Sequence, residues 1–137
     1  MPMKLTLVLG VCACVGVALA SAACDKDKAG AAAQPDDALI AGWRKAGLEV
    51  SALTTADAKP YSAQACRAGT VSGVDVVLCS YDSGEDAHAA EDLGLAVIAD
   101  ATGASLARGS QLLVVADRRK TDPSGRTIDA IIRAFRK

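Results

Sequence analysis

At 137 residues the chain has room for one domain plus an N-terminal segment, and its net charge of −1 gives no sign of a nucleic-acid binder. Aromatic residues are confined to Trp43, Tyr61, Tyr81 and Phe135. A core of Ala, Val, Leu and Ile can form from this composition, but few side chains remain to stack on a flat ligand.

The N-terminus has the layout of an export signal. Lys4 supplies a positive charge, residues 5–19 are uncharged and mostly apolar, and small residues follow in Ala20-Ser21-Ala22-Ala23-Cys24. That is the order of a secretory signal peptide, expected over residues 1–23. The apolar run is shorter than the ~20 residues that a spanning helix needs. The small residues ending in cysteine resemble the lipobox of bacterial lipoproteins, although Ser21 stands where that family usually has Leu. The resemblance implies a diacylglyceryl group on Cys24, cleavage before it, and a membrane anchor facing the periplasm. Ala20-Ser21-Ala22 also suits an ordinary signal peptidase, which would leave a soluble periplasmic or secreted protein. Residues 24–35 are polar and Ala-rich without apolar periodicity, a tether expected to reach roughly 20 Å.

Processing also resolves the cysteines. Cys12 and Cys14 depart with the leader and Cys24 takes the lipid, so Cys66 and Cys79 remain as one pair in an oxidising compartment.

Residues 36–137 are expected to form a single α+β domain. The first helix, over 36–47, starts after Pro35 with two aspartates, carries Leu39, Ile40, Trp43 and Ala46 on one face, and ends at Gly47. Trp43 is expected in the core, with Leu48 against it in a Schellman ending. A short strand over 48–53 and a loop over 54–62 follow. Residues 64–71 and 74–81 form a hairpin turning at Ser72-Gly73, with Val74, Val76 and Leu78 on one face. In that register Cys66 sits opposite Cys79 at a close, non-hydrogen-bonded pair, where Cα atoms lie ~4.5 Å apart and a disulfide is accommodated.

Ser83 with Asp86 three residues on resembles a capping box for a helix over 84–100, which Gly94 interrupts. Residues 101–109 are compatible with turn, short helix or edge strand. The apolar run within Gln111–Asp117 is the expected central strand, buried on both faces. After a turn at 121–125, Ile128, Ile131, Ile132 and Phe135 mark an amphipathic last helix. The expected fold is three helices packed on a mostly antiparallel sheet of about four strands, in the order α-β-β-β-α-β-α.

Signals for chemistry are weak. His88, the only histidine, shares a helix face with Glu85 and Asp92, but a lone Glu-x-x-His lacks the second copy that di-metal sites use. Gly-x-Ser-x-Gly and Gly-rich phosphate loops are absent. No catalytic residue, metal or cofactor is therefore assigned. Charge is uneven: residues 36–107 carry four basic and eleven acidic side chains, residues 108–137 eight basic and three acidic. Arg118, Arg119, Lys120 and Arg126 gather before the last helix and can either face an anionic partner or balance the acidic segment internally. The functional expectation is a membrane-tethered, non-enzymatic binding or envelope-accessory module of the cell envelope, met by a protein or anionic partner. The alternatives are a small periplasmic enzyme or redox protein, or a carrier of a small apolar ligand.

Overall fold

The computed structural model describes residues 35–137. The signal segment 1–23, Cys24 and nearly all of the tether lie outside the described residues.

Helix α1 spans Pro35–Lys45. It stops because Gly47 takes a left-handed φ of 82°. The Leu48 N–H then bonds the Trp43 carbonyl and the Gly47 N–H that of Arg44, both at 3.0 Å, the two bonds of a Schellman ending. Leu48 packs against the cluster that contains Trp43, as the sequence predicts.

Five strands form one antiparallel sheet: β1 Thr54–Ala56, β2 Ala65–Val71, β3 Val74–Ser80, β4 Thr102–Arg108 and β5 Gln111–Asp117, in the spatial order β1-β2-β3-β5-β4. A 3₁₀ turn at Lys59–Tyr61 lies between β1 and β2. Helices α2 (Gly84–Ala89) and α3 (Glu91–Ile98) join β3 to β4, and α4 (Arg126–Phe135) closes the chain. The α+β class is as expected. The sheet is wholly antiparallel and has one strand more than predicted, because residues 102–108 form an edge strand.

The β2–β3 hairpin has the predicted register, with Val71 opposite Val74 and Cys66 opposite Cys79. Ser72 and Gly73 both have positive φ, 47° and 84°, which is the backbone of a type I′ turn. The two cysteine Cα atoms are 4.1 Å apart and the sulfurs are bonded. Alternation then separates two cores. Val71, Val74, Val76, Leu78, Leu113 and Val115 face Trp43 of α1 and Ile128, Ile131 and Phe135 of α4. Cys66, Cys79, Leu112, Val114 and Ala116 face Ala87, Ala90 and Ile98 on the opposite side, together with Tyr61 and Tyr81. The sheet is thus covered by helices on both faces.

Two expectations are corrected. The strand predicted over 48–53 is displaced to Thr54–Ala56, inside the predicted loop. Residues 49–51 still run beside β2, but the Ser51 hydroxyl replaces a main-chain acceptor and takes the Thr70 N–H at 2.8 Å. The pairing then slips by one residue, from Val50 opposite Val71 to Thr54 opposite Ala68. The crossing needs Gly69, since a Cβ there would lie 2.6 Å from Leu53 and 2.7 Å from the Ser51 hydroxyl. The helix predicted over 84–100 is two helices, broken at Ala90 rather than Gly94. Gly94 stays helical because α3 crosses β4 there, and its Cβ would come within 2.1 Å of Ser105 Oγ. The Ser83 cap is present, its hydroxyl accepting the Asp86 N–H at 3.1 Å.

The disulfide closes a loop between residues 13 apart. Replacing both Cys66 and Cys79 by Ala is expected to lower stability by about 3 kcal/mol in urea unfolding. An unchanged unfolding midpoint would contradict the stapling role.

Candidate functional site

The placement of α1 begins with a buried carboxylate. Asp36, 8% exposed, accepts from Arg67 of β2 at 3.2 Å and from Gln111 of β5 at 3.1 Å. Arg67 also donates to the Leu53 carbonyl at 3.1 Å, so one guanidinium joins α1, β2 and the chain leading into β1. Further along α1, Trp43 Nε1 donates to the Ile131 carbonyl of α4 at 3.1 Å. At the far end of α4, Arg108 of β4 donates to the Phe135 carbonyl at 2.8 Å, a cation on the negative end of the helix dipole. Since Asp36 meets Gln111 and Phe135 meets Arg108, the start of α1 lies by the end of α4, and the two helices run antiparallel.

The solvent side of this helix pair is a groove of about 900 Å³. Its walls are small: Ala38, Gly42 and Ala46 line it from α1, Ala130 and Ala134 from α4. Leu39 and Phe135 contribute apolar floor. Every ionisable residue on its lining is basic, namely Lys45, Arg108, Arg133 and Lys137. Arg133 pairs with Asp129 at 2.5 Å, one turn earlier on α4. Lys45 and Lys137 have no hydrogen bond or ion pair among the described residues. Gly42 sits inside α1 with open space where a Cβ would be. Glycine at such a position disfavours the helix and deepens the groove at the same time.

The other candidates resolve differently. Cys66 and Cys79 are 1% and 2% exposed, so the disulfide is sealed from thiol reagents in the folded state. His88 is exposed and lies 3.4 Å from Glu91, not against Glu85 or Asp92. The same Glu91 oxygen accepts the Ala107 N–H at 2.7 Å and so covers part of the open β4 edge. No group of three or more His, Cys, Asp or Glu positioned to hold a metal occurs among the described residues. Tyr81 donates to the Tyr61 carbonyl at 2.8 Å, and burial pushes both phenols above their ordinary value. A smaller cleft of about 230 Å³ lies between Gln64, Tyr81, Asp82, Asp86 and Leu93.

The predicted basic patch is divided. Arg119 donates to Asp75 at 2.8 Å and to the Gly73 carbonyl at 3.0 Å. Arg118 donates to the Val97 carbonyl at 3.0 Å and lies 4.0 Å from Asp75. These two arginines therefore serve internal balance. Lys120 and Arg126 are exposed and have no such contacts among the described residues.

The loop that carries them is tied by two buried aspartates. Asp117 accepts the Asp122 N–H and the Thr121 N–H at 2.8 Å each, and Asp122 accepts the Ile128 N–H at 2.9 Å, satisfying the first turn of α4. Bonds to the Asp117 carboxylate, led by the Asp122 N–H, hold it below the usual carboxylate value against the opposing effect of burial.

No protein-family model matches the chain, and neither curated proteins nor solved structures provide a match. The groove must therefore be interpreted from its own chemistry.

The groove itself was not legible in the sequence, because its walls come from helices at opposite ends of the domain. The available signal was the small-residue spacing Ala38-Gly42-Ala46 on α1, matched by Ala130-Ala134 on α4; Ala46, expected on the apolar face, is exposed.

Two outcomes follow. Gly42→Ala should raise stability by about 0.5–1 kcal/mol, because the added methyl enters open space and removes glycine from a helix interior. For Asp117 the folded value lies below the unfolded one, so its contribution is complete above about pH 4 and is lost as pH falls through the folded value. The stability difference between wild type and Asp117→Asn should therefore shrink in urea titrations taken from about pH 7 to about pH 3. A difference that does not vary with pH would contradict the carboxylate's role.

Proposed function

We propose that this chain is a non-enzymatic binding module of the cell envelope, tethered to a membrane by lipid on Cys24, with the α1–α4 groove as its binding surface. The groove carries the proposal. It is the larger of the two clefts described above, its walls are apolar and small, and its lining charges have a single sign. Concave, mostly apolar sites with a few placed polar groups are the usual form of ligand sites. The tether rests on residues 1–24, in which an export signal runs into small residues and a cysteine. No helix among the described residues is long and apolar enough to cross a membrane.

A redox role receives no support from a disulfide packed between Tyr61, Tyr81 and Leu112. Metal-assisted catalysis at His88 receives none from an exposed ring beside a single carboxylate.

Two measurements test the two halves. Cys24→Ser should move the protein from the membrane fraction to the soluble periplasmic fraction; wild-type protein already found soluble would overturn the tether. Titration of the mature protein with detergent-solubilised envelope extract should shift amide resonances of residues 38–46 and 130–137. Shifts confined to α2 and α3, or no shifts, would overturn the groove as the binding surface.

A further inference from the structure

We infer that the α1–α4 groove binds an anionic single-chain amphiphile, a carboxylate-headed acyl chain, with the head at the Arg108–Lys137 end and the chain lying between the two helices. The inference rests on the groove being the binding surface and goes further by naming the ligand's chemistry.

All four basic residues of the lining are exposed: Lys45 stands at the end of α1 and Arg133 within α4, while Arg108 and Lys137 share the end of α4. Arg108 is fixed by its bond to the Phe135 carbonyl through one terminal nitrogen only, and its remaining N–H donors have no partner among the described residues. Lys137 lies at the same end of α4, beyond the last helical turn. A carboxylate placed there meets a guanidinium with donors to spare and an ammonium, which together outweigh the negative end of the α4 dipole, and Asp36, bonded to the lining residue Gln111, is already paired with Arg67. Away from that end the walls are small, with Ala38, Gly42 and Ala46 on one side and Ala130 and Ala134 on the other, and the exposed Lys45 and Arg133 flank them. From Ala38 to Ala46 the wall runs about 12 Å along the helix, sufficient for a medium-length acyl chain. The missing side chain at Gly42 leaves the middle of that path open.

Size argues against a protein helix as occupant. A stable protein interface needs roughly 800 Å² from each partner. A trench beside α1, a helix about 16 Å long, offers much less. About 900 Å³ lies within the range of small-ligand sites.

The test uses the mature protein, with calorimetry and amide-shift mapping against dodecanoate, dodecanol, acetate and an acidic Ala/Glu helical peptide. Dodecanoate should bind and shift residues along both helices, while dodecanol binds at least about tenfold more weakly because it lacks the charged head. Acetate should not bind measurably. Lys137→Gln should weaken dodecanoate binding roughly fivefold, Lys45→Gln at the other end of the groove should leave it unchanged, and raised salt should weaken the wild type in the same direction as Lys137→Gln. Gly42→Phe should abolish binding with its thermal unfolding at or above that of wild type. If Gly42→Phe unfolds early, Ala46→Phe serves the same purpose from the exposed end of the wall. Equal binding of dodecanol and dodecanoate would overturn the inference, as would binding that survives both filling substitutions. A groove that shifts with envelope extract but not with dodecanoate, or that takes the acidic peptide instead, would overturn the ligand class while sparing the groove. A groove silent to extract as well would overturn both.

Discussion

The seating of both helical layers follows from the register of β2 against β3. A two-residue turn at Ser72-Gly73 sets it, and the Cys66–Cys79 bond locks it. A strand that slipped by one position would send every side chain to the opposite face. With the register as it is, Val74, Val76 and Leu78 face one helical layer and Cys79 the other. Arg67, one residue from Cys66, then points to the same side as Val74. There it can reach Asp36, and α1 is seated by that part-buried charge pair. The groove exists because α1 is seated there, antiparallel to α4 and joined to it through Trp43.

The polar groups inside this frame connect elements that hydrophobic packing alone would leave free to slide. Asp36 is held from two strands, and Asp117 and Asp122 hold the loop that launches α4. Each of these three buried carboxylates has its partners supplied by the protein, as burial of a charge requires. Ser105 is the exception: its hydroxyl is buried beneath Gly94 without a partner among the described residues. Close approach of α3 to β4 accounts for this, since the glycine that permits the contact also leaves no group to bond the hydroxyl.

Local patterns carried much of the fold. The Gly47 ending of α1, the hairpin register, the Ser83 cap, the β5 span and the apolar face of α4 all follow from residues within one turn or one ladder of each other, and all are found. The failures are non-local. The segment 48–53 alternates like a strand, yet Ser51 spends its hydroxyl on the ladder and Gly69 allows Leu53 to cross it, neither of which alternation reveals. The break at Ala90 replaces one long helix by two, which is how the chain follows the twisted sheet from the end of β3 to the outer edge. The basic cluster at 118–126 was visible in sequence, but its partner Asp75 lies more than 40 residues away, so its division into internal and exposed charges was not. The groove was hidden for the same reason, being a property of two helix faces at opposite ends of the domain.

In the proposed function the exported chain loses its leader in an oxidising envelope, Cys66 and Cys79 pin the hairpin, and Cys24 carries lipid. Intact-mass and peptide mass spectrometry of the protein purified from its own envelope reads all three cysteines at once. The expected result is an N-terminus at Cys24 with the mass of a diacylglyceryl modification, and no alkylatable thiol unless the protein is first reduced. An unmodified chain beginning at Ala23, or free thiols at Cys66 and Cys79, would contradict it.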